Sequence, residues 1–388
     1  MSKLNLILQT LSPVHVGTGN KLAAQIDYIP FDEELAVIDE RKIFDLIGED
    51  RLGQWVSTIE KGEPLTAHLL KGMSAEEVSS RLVKINGHQP RSGELKEQLH
   101  LANPTRPTIP GSSLKGSVRT VLFNYLLKQR PSLTEGGRQL QENRRGRTYF
   151  SDRRINAAIF GQKDQENRFR GGYDLDANKD FMRLFRLSDF YFPAVTECRT
   201  LEIINDYRDG WGVKKRETTY LECIPSGQTS EGRLQVPTDL IDYVKNQRDA
   251  KYKAEKIKSN AKYTDWNLLS GLINDHTLGL IEEELKFWAE EGNPIVIGDY
   301  MDHLQEIKRA ILQAQTEQSC VLRVGAASGW QFMTGGWAKN PDLVDDKTWY
   351  KLREAVQKRA YPDGIPTPKT RKLALGGEPL GFVKLSKV

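Results

Sequence analysis

The residues whose types and spacing could do chemistry gather first in residues 107–127, PTIPGSSLKGSVRTVLFNYLL. Pro107, Pro110 and Gly111 mark a turn, because none of them sits inside a helix without cost. Ser112 or Ser113 then offers a hydroxyl to cap the free N–H groups of a helix that follows. Lys115 and Arg119 are one turn apart and share a basic face. Gly111 and Gly116 leave room for close approach to the backbone. A capped, glycine-flanked, basic helix start suits an anion, above all a phosphate. An ordinary capped helix with a solvated basic face fits the same residue types. A nucleotide-binding P-loop does not fit: Ser117 stands where its lysine must be, and Lys115 lies between the glycines.

Other stretches could act on the same ligand class. In residues 14–21, VHVGTGNK, a strand end runs into a glycine loop. His15 there is a structural hydrogen-bonder or a general base. Binding of a phosphate or base edge by His15, Gly17, Gly19 and Lys21 is the favoured reading. Residues 130–170 are rich in arginine, Arg144 and Arg145 among them, with Tyr149, Phe150 and Phe169 interleaved. This reads as an RNA-facing surface, since arginine both neutralises phosphate and stacks on bases. A long solvated loop is the alternative. Trp211, between two glycines and beside Lys214, Lys215 and Arg216, either meets a base or tucks under its own loop. Arg323 precedes a small-residue loop, GAASG, followed by Trp330 and Phe332. The loop lacks dinucleotide-binding spacing and suits RNA backbone or sheet packing. Lys369 and Arg371 add charge near the C-terminus, and with Arg323 they join the RNA-binding set. His68, His88 and His100 lack helical zinc spacing, and Cys198, Cys223 and Cys320 form neither a metal nor a disulfide pattern. No metal and no cofactor are expected.

Elements must position these groups. Leu4, Leu6 and Leu8 make a strand with one buried face, and a helix starts at Asp39. Residues 48–100 read as a helical insertion. Leu114, Val118, Val121, Leu122 and Leu126 turn one face of the central helix to a core. After about residue 195 the texture becomes strand-rich, then helical over 239–258, 277–290 and 300–318. Glu282, Glu283 and Glu284 are read as an acidic face opposite an apolar stripe. A last strand covers 380–385. The chain has 388 residues, which suggests two domains, and its net charge of +4 does not by itself identify a nucleic-acid binder. No stretch is apolar enough to cross a membrane, and the sparse cysteines point to a reducing cytoplasm.

IPGSSLKGSVR after SPVHVGTG resembles the RAMP superfamily of CRISPR-associated RNA-binding proteins. IFG at 159–161, LFRLSD at 184–189, VLRVGAASGW at 321–330 and the closing PKTRKL and PLGFVKL are similar to one branch of it, the fifth-subunit type of the type III-A (Csm) interference complex. The resemblance implies an α+β fold of ferredoxin-like, RRM-like units, probably two, with helical insertions, here divided as 1–195 and 196–388. It implies a non-catalytic subunit that caps the 3′ side of the crRNA and serves crRNA maturation and assembly in prokaryotic antiviral defence. The implied partners are crRNA, neighbouring backbone RAMP subunits, target RNA and host trimming nucleases. Two alternatives remain: a metal-independent crRNA endoribonuclease with His15 as base, and a protein–protein scaffold. Backbone subunits of such complexes cut target RNA with an aspartate near the place of Asp27, which is read here as a loop residue.

Overall fold

The structure, a computed structural model, describes the chain apart from residues 1, 64, 66–68, 91–92, 103–104, 136–140, 145–146, 162–176, 208, 215–217, 247–254, 292–294 and 351–367. It is a mixed α+β fold with two large sheets.

The N-terminal strand, Ser2–Thr10, alternates so that Leu6 and Leu8 are buried on one face. It lies in the middle of an antiparallel five-stranded sheet. The spatial order is Arg186–Leu187, Thr229–Val236, Ser2–Thr10, Phe382–Lys387 and Ser319–Arg323. The two ends of the chain are therefore neighbours, with Leu8 opposite Leu385. The central helix, Gly111–Lys128, packs Leu114, Val118 and Leu122 into the same core as Leu6, Leu8 and Leu385.

A long helix, Trp266–Glu291, starts in that core with Leu269 and Ile273 and ends in a second one with Ile281 and Trp288. Between them it blunts an open sheet edge. Asn274 donates to the Ser319 carbonyl at 2.9 Å and accepts the Val321 N–H at 3.0 Å, and the Thr277 hydroxyl donates to the Val321 carbonyl at 2.8 Å. Edge groups that could pair with another chain are thus occupied. The helix begins eleven residues before the expected 277 because Trp266, Leu269 and Ile273 continue its apolar stripe. Tyr300–Thr316 packs beside it through Leu304, Ile307 and Ile311.

The second sheet runs Gly17–Ala23, Glu94–Gln98, Thr219–Cys223, Thr196–Tyr207, Ser79–Asn86, Glu34–Ile38 and Tyr28–Pro30, with Gly210–Val213 and Thr370–Ala374 also paired to the long strand Thr196–Tyr207. The expected helical insertion over 48–100 is corrected here. Helices occupy Glu40–Ile47, Leu52–Lys61 and Ala75–Val78, capped at Asp39 and Ser74, but residues 79–98 contribute two strands. Leu82 and Val83 point into different hydrophobic clusters on opposite faces, which is the period of a strand. Both large sheets take strands from either side of residue 195.

The second sheet is held by a buried carboxylate. Glu222 accepts from Arg81 at 2.9 and 3.0 Å, from Thr196 at 3.0 Å and from the Gln98 N–H at 3.2 Å. Its backbone carbonyl accepts the Nδ1–H of His15 at 2.6 Å. Burial lowers the pKa of His15 and of nearby His100, and lowers His276 to about 4, with Lys128 adding to the last. Each ring stays neutral in the folded chain at a pH where the unfolded chain is already protonated. Stability contributed this way is present above the ordinary histidine value and is lost as the pH falls toward the folded values. The melting temperature at pH 5 is therefore expected to lie several degrees below that at pH 7, and His276→Gln is expected to reduce the difference. A midpoint that is flat over this range for the unsubstituted chain would contradict the assignment.

Candidate nucleic-acid interface

The central helix starts differently from the serine-capped form expected. Pro110 is the N-cap, Gly111 is the first helical residue, and neither Ser112 nor Ser113 caps the helix. The Gly111 N–H instead donates to the Asp189 carboxylate at 2.8 Å. A Cβ at position 111 would collide with the carbonyl oxygens of Leu187 and Ser188, so the residue must be glycine for these segments to touch. An internal carboxylate thus takes one place offered to an anion. Ser112 stays exposed and Ser113 is partly buried.

The expected basic face is present but uneven. Arg119 pairs with Asp180 at 2.8 Å and lies 3.7 Å over the Phe160 ring, which makes it a tie between helix and neighbouring segments. Among the described residues Lys115 makes no ion pair. Burial lowers its pKa, and Asp180 opposes this while Arg119 and Arg186 add to it. Lys115 thus lies near two further cations, Arg119 and Arg186; Arg119 is paired with Asp180 and also feels Asp152. Arg186 is exposed on its short strand and was not among the expected site residues. Its only signal in the sequence is its place inside LFRLSD.

The first glycine segment is a strand along a sheet edge, not a loop. Gly17–Ala23 pairs with Glu94–Gln98 through a register irregularity, and Gly19 has φ of +94°. Lys21 pairs with Glu94, and Thr18 and Asn20 donate to Glu97 at 3.1 and 3.0 Å. His15 is buried, and its ring lies against Gly17. Asp27 accepts the Ala23 N–H at 2.7 Å and so closes a turn.

Two expected RNA contacts are buried structural groups. Arg371 is 8% exposed and forms a two-point pair with Glu284 at 2.5 and 2.9 Å, close to the rings of Trp211, Phe287 and Trp288. Glu284 is not on a solvated acidic face: it is buried and also accepts from Trp288 at 2.9 Å and Tyr300 at 3.3 Å. Its place one turn from Ile281 and Trp288 puts it on their side of the helix. Trp211 is likewise tucked in, donating to Glu291 at 3.1 Å. Arg323 is 7% exposed, donates to the carbonyls of Leu380 at 2.8 Å and Ala327 at 3.1 Å, and lies between Phe332 and Phe382. Lys369 is partly buried, and its carbonyl accepts the Asp206 N–H at 3.1 Å. Arg144 ends the strand Gln141–Arg144, and Arg145 lies outside the described residues.

The short motifs converge. Ser117 of the central helix donates to the Arg323 carbonyl at 2.7 Å. The His15 carbonyl accepts the Ala326 N–H at 2.8 Å, and the Pro13 carbonyl accepts that of Gly381 at 2.8 Å. Segments 13–17, 111–119, 184–189, 323–329 and 380–382 thus build one region. Among the described residues, no group of three or more His, Cys, Asp or Glu is arranged to hold a metal ion.

The sequence pattern of the RAMP superfamily matches residues 7–330. The chain belongs to the RAMP superfamily. A comparison with curated protein sequences finds no match. Two solved structures share the fold over the full length. One is a chain of the cryo-EM structure of a Csm–crRNA–target RNA ternary complex of a type III-A CRISPR-Cas system, with a TM-score of 0.70, 21% identity and 100% of both chains covered. The other is the crystal structure of T. onnurineus Csm5, with a TM-score of 0.60, 20% identity, and 97% of this chain and 99% of that one covered. At these identities the likeness is one of fold.

The two glycines of the RAMP central helix separate structure from access. Gly111→Ala is expected to cost about 1–3 kcal/mol, because backbone must shift to admit the methyl group. Gly116 has nothing within 4 Å of its added Cβ. Gly116→Ala is therefore expected to stabilise the helix by about 0.5–1 kcal/mol. Denaturant unfolding of both variants checks the pair, and equal effects would refute the distinction.

Proposed function

We propose that this RAMP protein is a non-catalytic RNA-binding subunit of a type III-A CRISPR (Csm) complex, capping the 3′ side of the crRNA. The carrying observation is the fold likeness to a chain of a Csm–crRNA–target RNA complex, complete in both directions. The fold likeness to Csm5 supports the same position. In this reading crRNA and neighbouring RAMP subunits are the partners, and target RNA and trimming nucleases are met within the assembly. Among the described residues no helix is long and apolar enough to cross a membrane, which suits an assembly in the prokaryotic cytoplasm.

The strand order supports reading the five-stranded sheet as one ferredoxin-like unit. Ser2–Thr10, the central helix, Arg186–Leu187, Thr229–Val236, the long helix and Phe382–Lys387 follow a βαββαβ sequence, with Ser319–Arg323 as an added edge. The second sheet then forms the other part, so that each part draws on both halves of the chain. RNA contact is assigned to Lys115 and Arg186, which form no ion pair among the described residues, with the arginine-rich segment around Arg144 as an extension. Arg119 holds that face in place. Lys21 at the edge of the second sheet is a further phosphate contact in this reading. A general base at His15 fits poorly, since its ring is buried and its Nδ1–H is given to the Glu222 carbonyl.

Phosphate-led binding predicts a loss that is independent of sequence. Lys115→Ala with Arg186→Ala should lower the slope of log affinity against log salt by about 1.4, at about 0.7 for each single-strand contact. Fluorescence titration of unrelated RNAs at several salt concentrations measures this, and an unchanged slope removes the face from the site. Capping predicts that complexes assembled without this subunit carry crRNA of altered 3′ length. Identical length distributions with and without it would end the capping proposal.

A further inference from the structure

A cleft of about 670 Å³ opens where the central helix, the loop 325–329 and the strand Thr370–Ala374 meet. It lies on the Ser113, Gly116 and Ser117 side of the helix, apart from Lys115 and Asp180. Its size falls in the range of small-ligand sites, about 300–1,000 Å³.

The floor carries net positive charge. Arg323 and Arg371 both line it, and Glu284 is the one carboxylate among the lining residues. Both oxygens of Glu284 are engaged by Arg371. Among the described residues Arg323 forms no direct ion pair; carbonyls, aromatic faces and the Tyr300 hydroxyl meet its guanidinium, and Glu284, already paired with Arg371, acts on it only through space. Lys372 adds an exposed cation at the rim. In a partly desolvated cleft such charge attracts an anion strongly.

The walls are of another kind. Trp330, Phe332 and Met333 form an aromatic and apolar side, and Met333 is 58% exposed. The facing helix surface has only small groups, Ser113, Gly116 and Ser117, so the space between stays open. The loop that carries this wall is set by Arg323. It holds the carbonyl of Ala327, a non-glycine residue at φ of +61°, and the loop keeps that otherwise disfavoured conformation.

A positive floor beside an apolar, aromatic wall matches a phosphate joined to a base. We propose that this cleft receives a single unstacked nucleotide of the bound RNA, its phosphate in the field of Arg323 and Arg371 and its base along Trp330 and Met333. The proposal rests on the RNA-binding reading above. It adds a strand requirement: bases in an A-form duplex are paired and stacked, and only a single strand can turn one into a cleft.

The test uses the full chain and a short fluorescein-labelled oligouridylate, free or annealed to its complement. Gly116→Leu fills the cleft from an exposed helix position without neighbours, and Met333→Glu places a negative charge at its rim. Each is expected to weaken binding of the single strand about tenfold, the equivalent of one lost base stack, and to leave duplex binding unchanged. Melting curves confirm that both variants are folded. If the unsubstituted chain binds the single strand and both variants bind it equally well, the cleft assignment is overturned while the RNA-binding reading stands. If the unsubstituted chain binds no RNA, both fall. Competition separates the ligand classes: uridine 5′-monophosphate should displace the single strand better than inorganic phosphate. Equal displacement would reduce the cleft to an anion site and overturn the nucleotide assignment. Displacement by polyglutamate but not by uridine 5′-monophosphate would reassign it to acidic peptides.

Discussion

The buried guanidinium of Arg323 is the constraint on which the motif region depends. Taking a charge out of water is costly unless its hydrogen bonds are met. Here two carbonyls and two ring faces meet it, with Tyr300 beside it and the Glu284 carboxylate acting through space rather than by direct pairing. The partners come from two segments: Leu380 and Phe382 from the entry of the last strand, Ala327 and Phe332 from the glycine loop and the turn that follows it. The carbonyl of the same residue takes the Ser117 hydroxyl and so fixes the central helix. One side chain and its own backbone therefore set the mutual positions of three segments far apart in the chain.

The second sheet solves a related problem with the opposite charge. Glu222 is fully buried, and its oxygens are answered by Arg81, Thr196, Gln98 and, at longer range, His100. That cluster crosses several strands and also holds the segment around His15. The His15 carbonyl then supports the glycine loop through Ala326. The two buried charges are thus linked through a few residues of the N-terminal motif. Lys115, partly buried, and Arg186, exposed, by contrast keep access to solvent at the helix face.

Much of the element order was legible in the sequence. The alternation of Leu4, Leu6 and Leu8, the punctuation at Pro110 and Gly111, and the apolar stripe of the central helix are local signals, and they produced the expected elements. The stretch 79–98 was misread because its apolar residues serve two cores on opposite faces, and such a pattern imitates a loose helix. Ser112 and Ser113 were plausible caps by residue type. The actual partner of the helix start, Asp189, is 78 residues away, and no local rule could pair it with Gly111.

The sequence by itself determined the family, the mixed α+β class, the central helix and the cations available to it, because periodicity, capping chemistry and short motifs are written locally. Only the tertiary structure decided which of those cations are engaged by partners among the described residues. Arg119, Arg323 and Arg371 look alike in sequence to Lys115 and Arg186, yet they are committed to Asp180, to backbone carbonyls and to Glu284. The physical reason is that burial and ion pairing depend on partners brought from distant segments. A charge shows its type in the sequence, and its surroundings only in the fold.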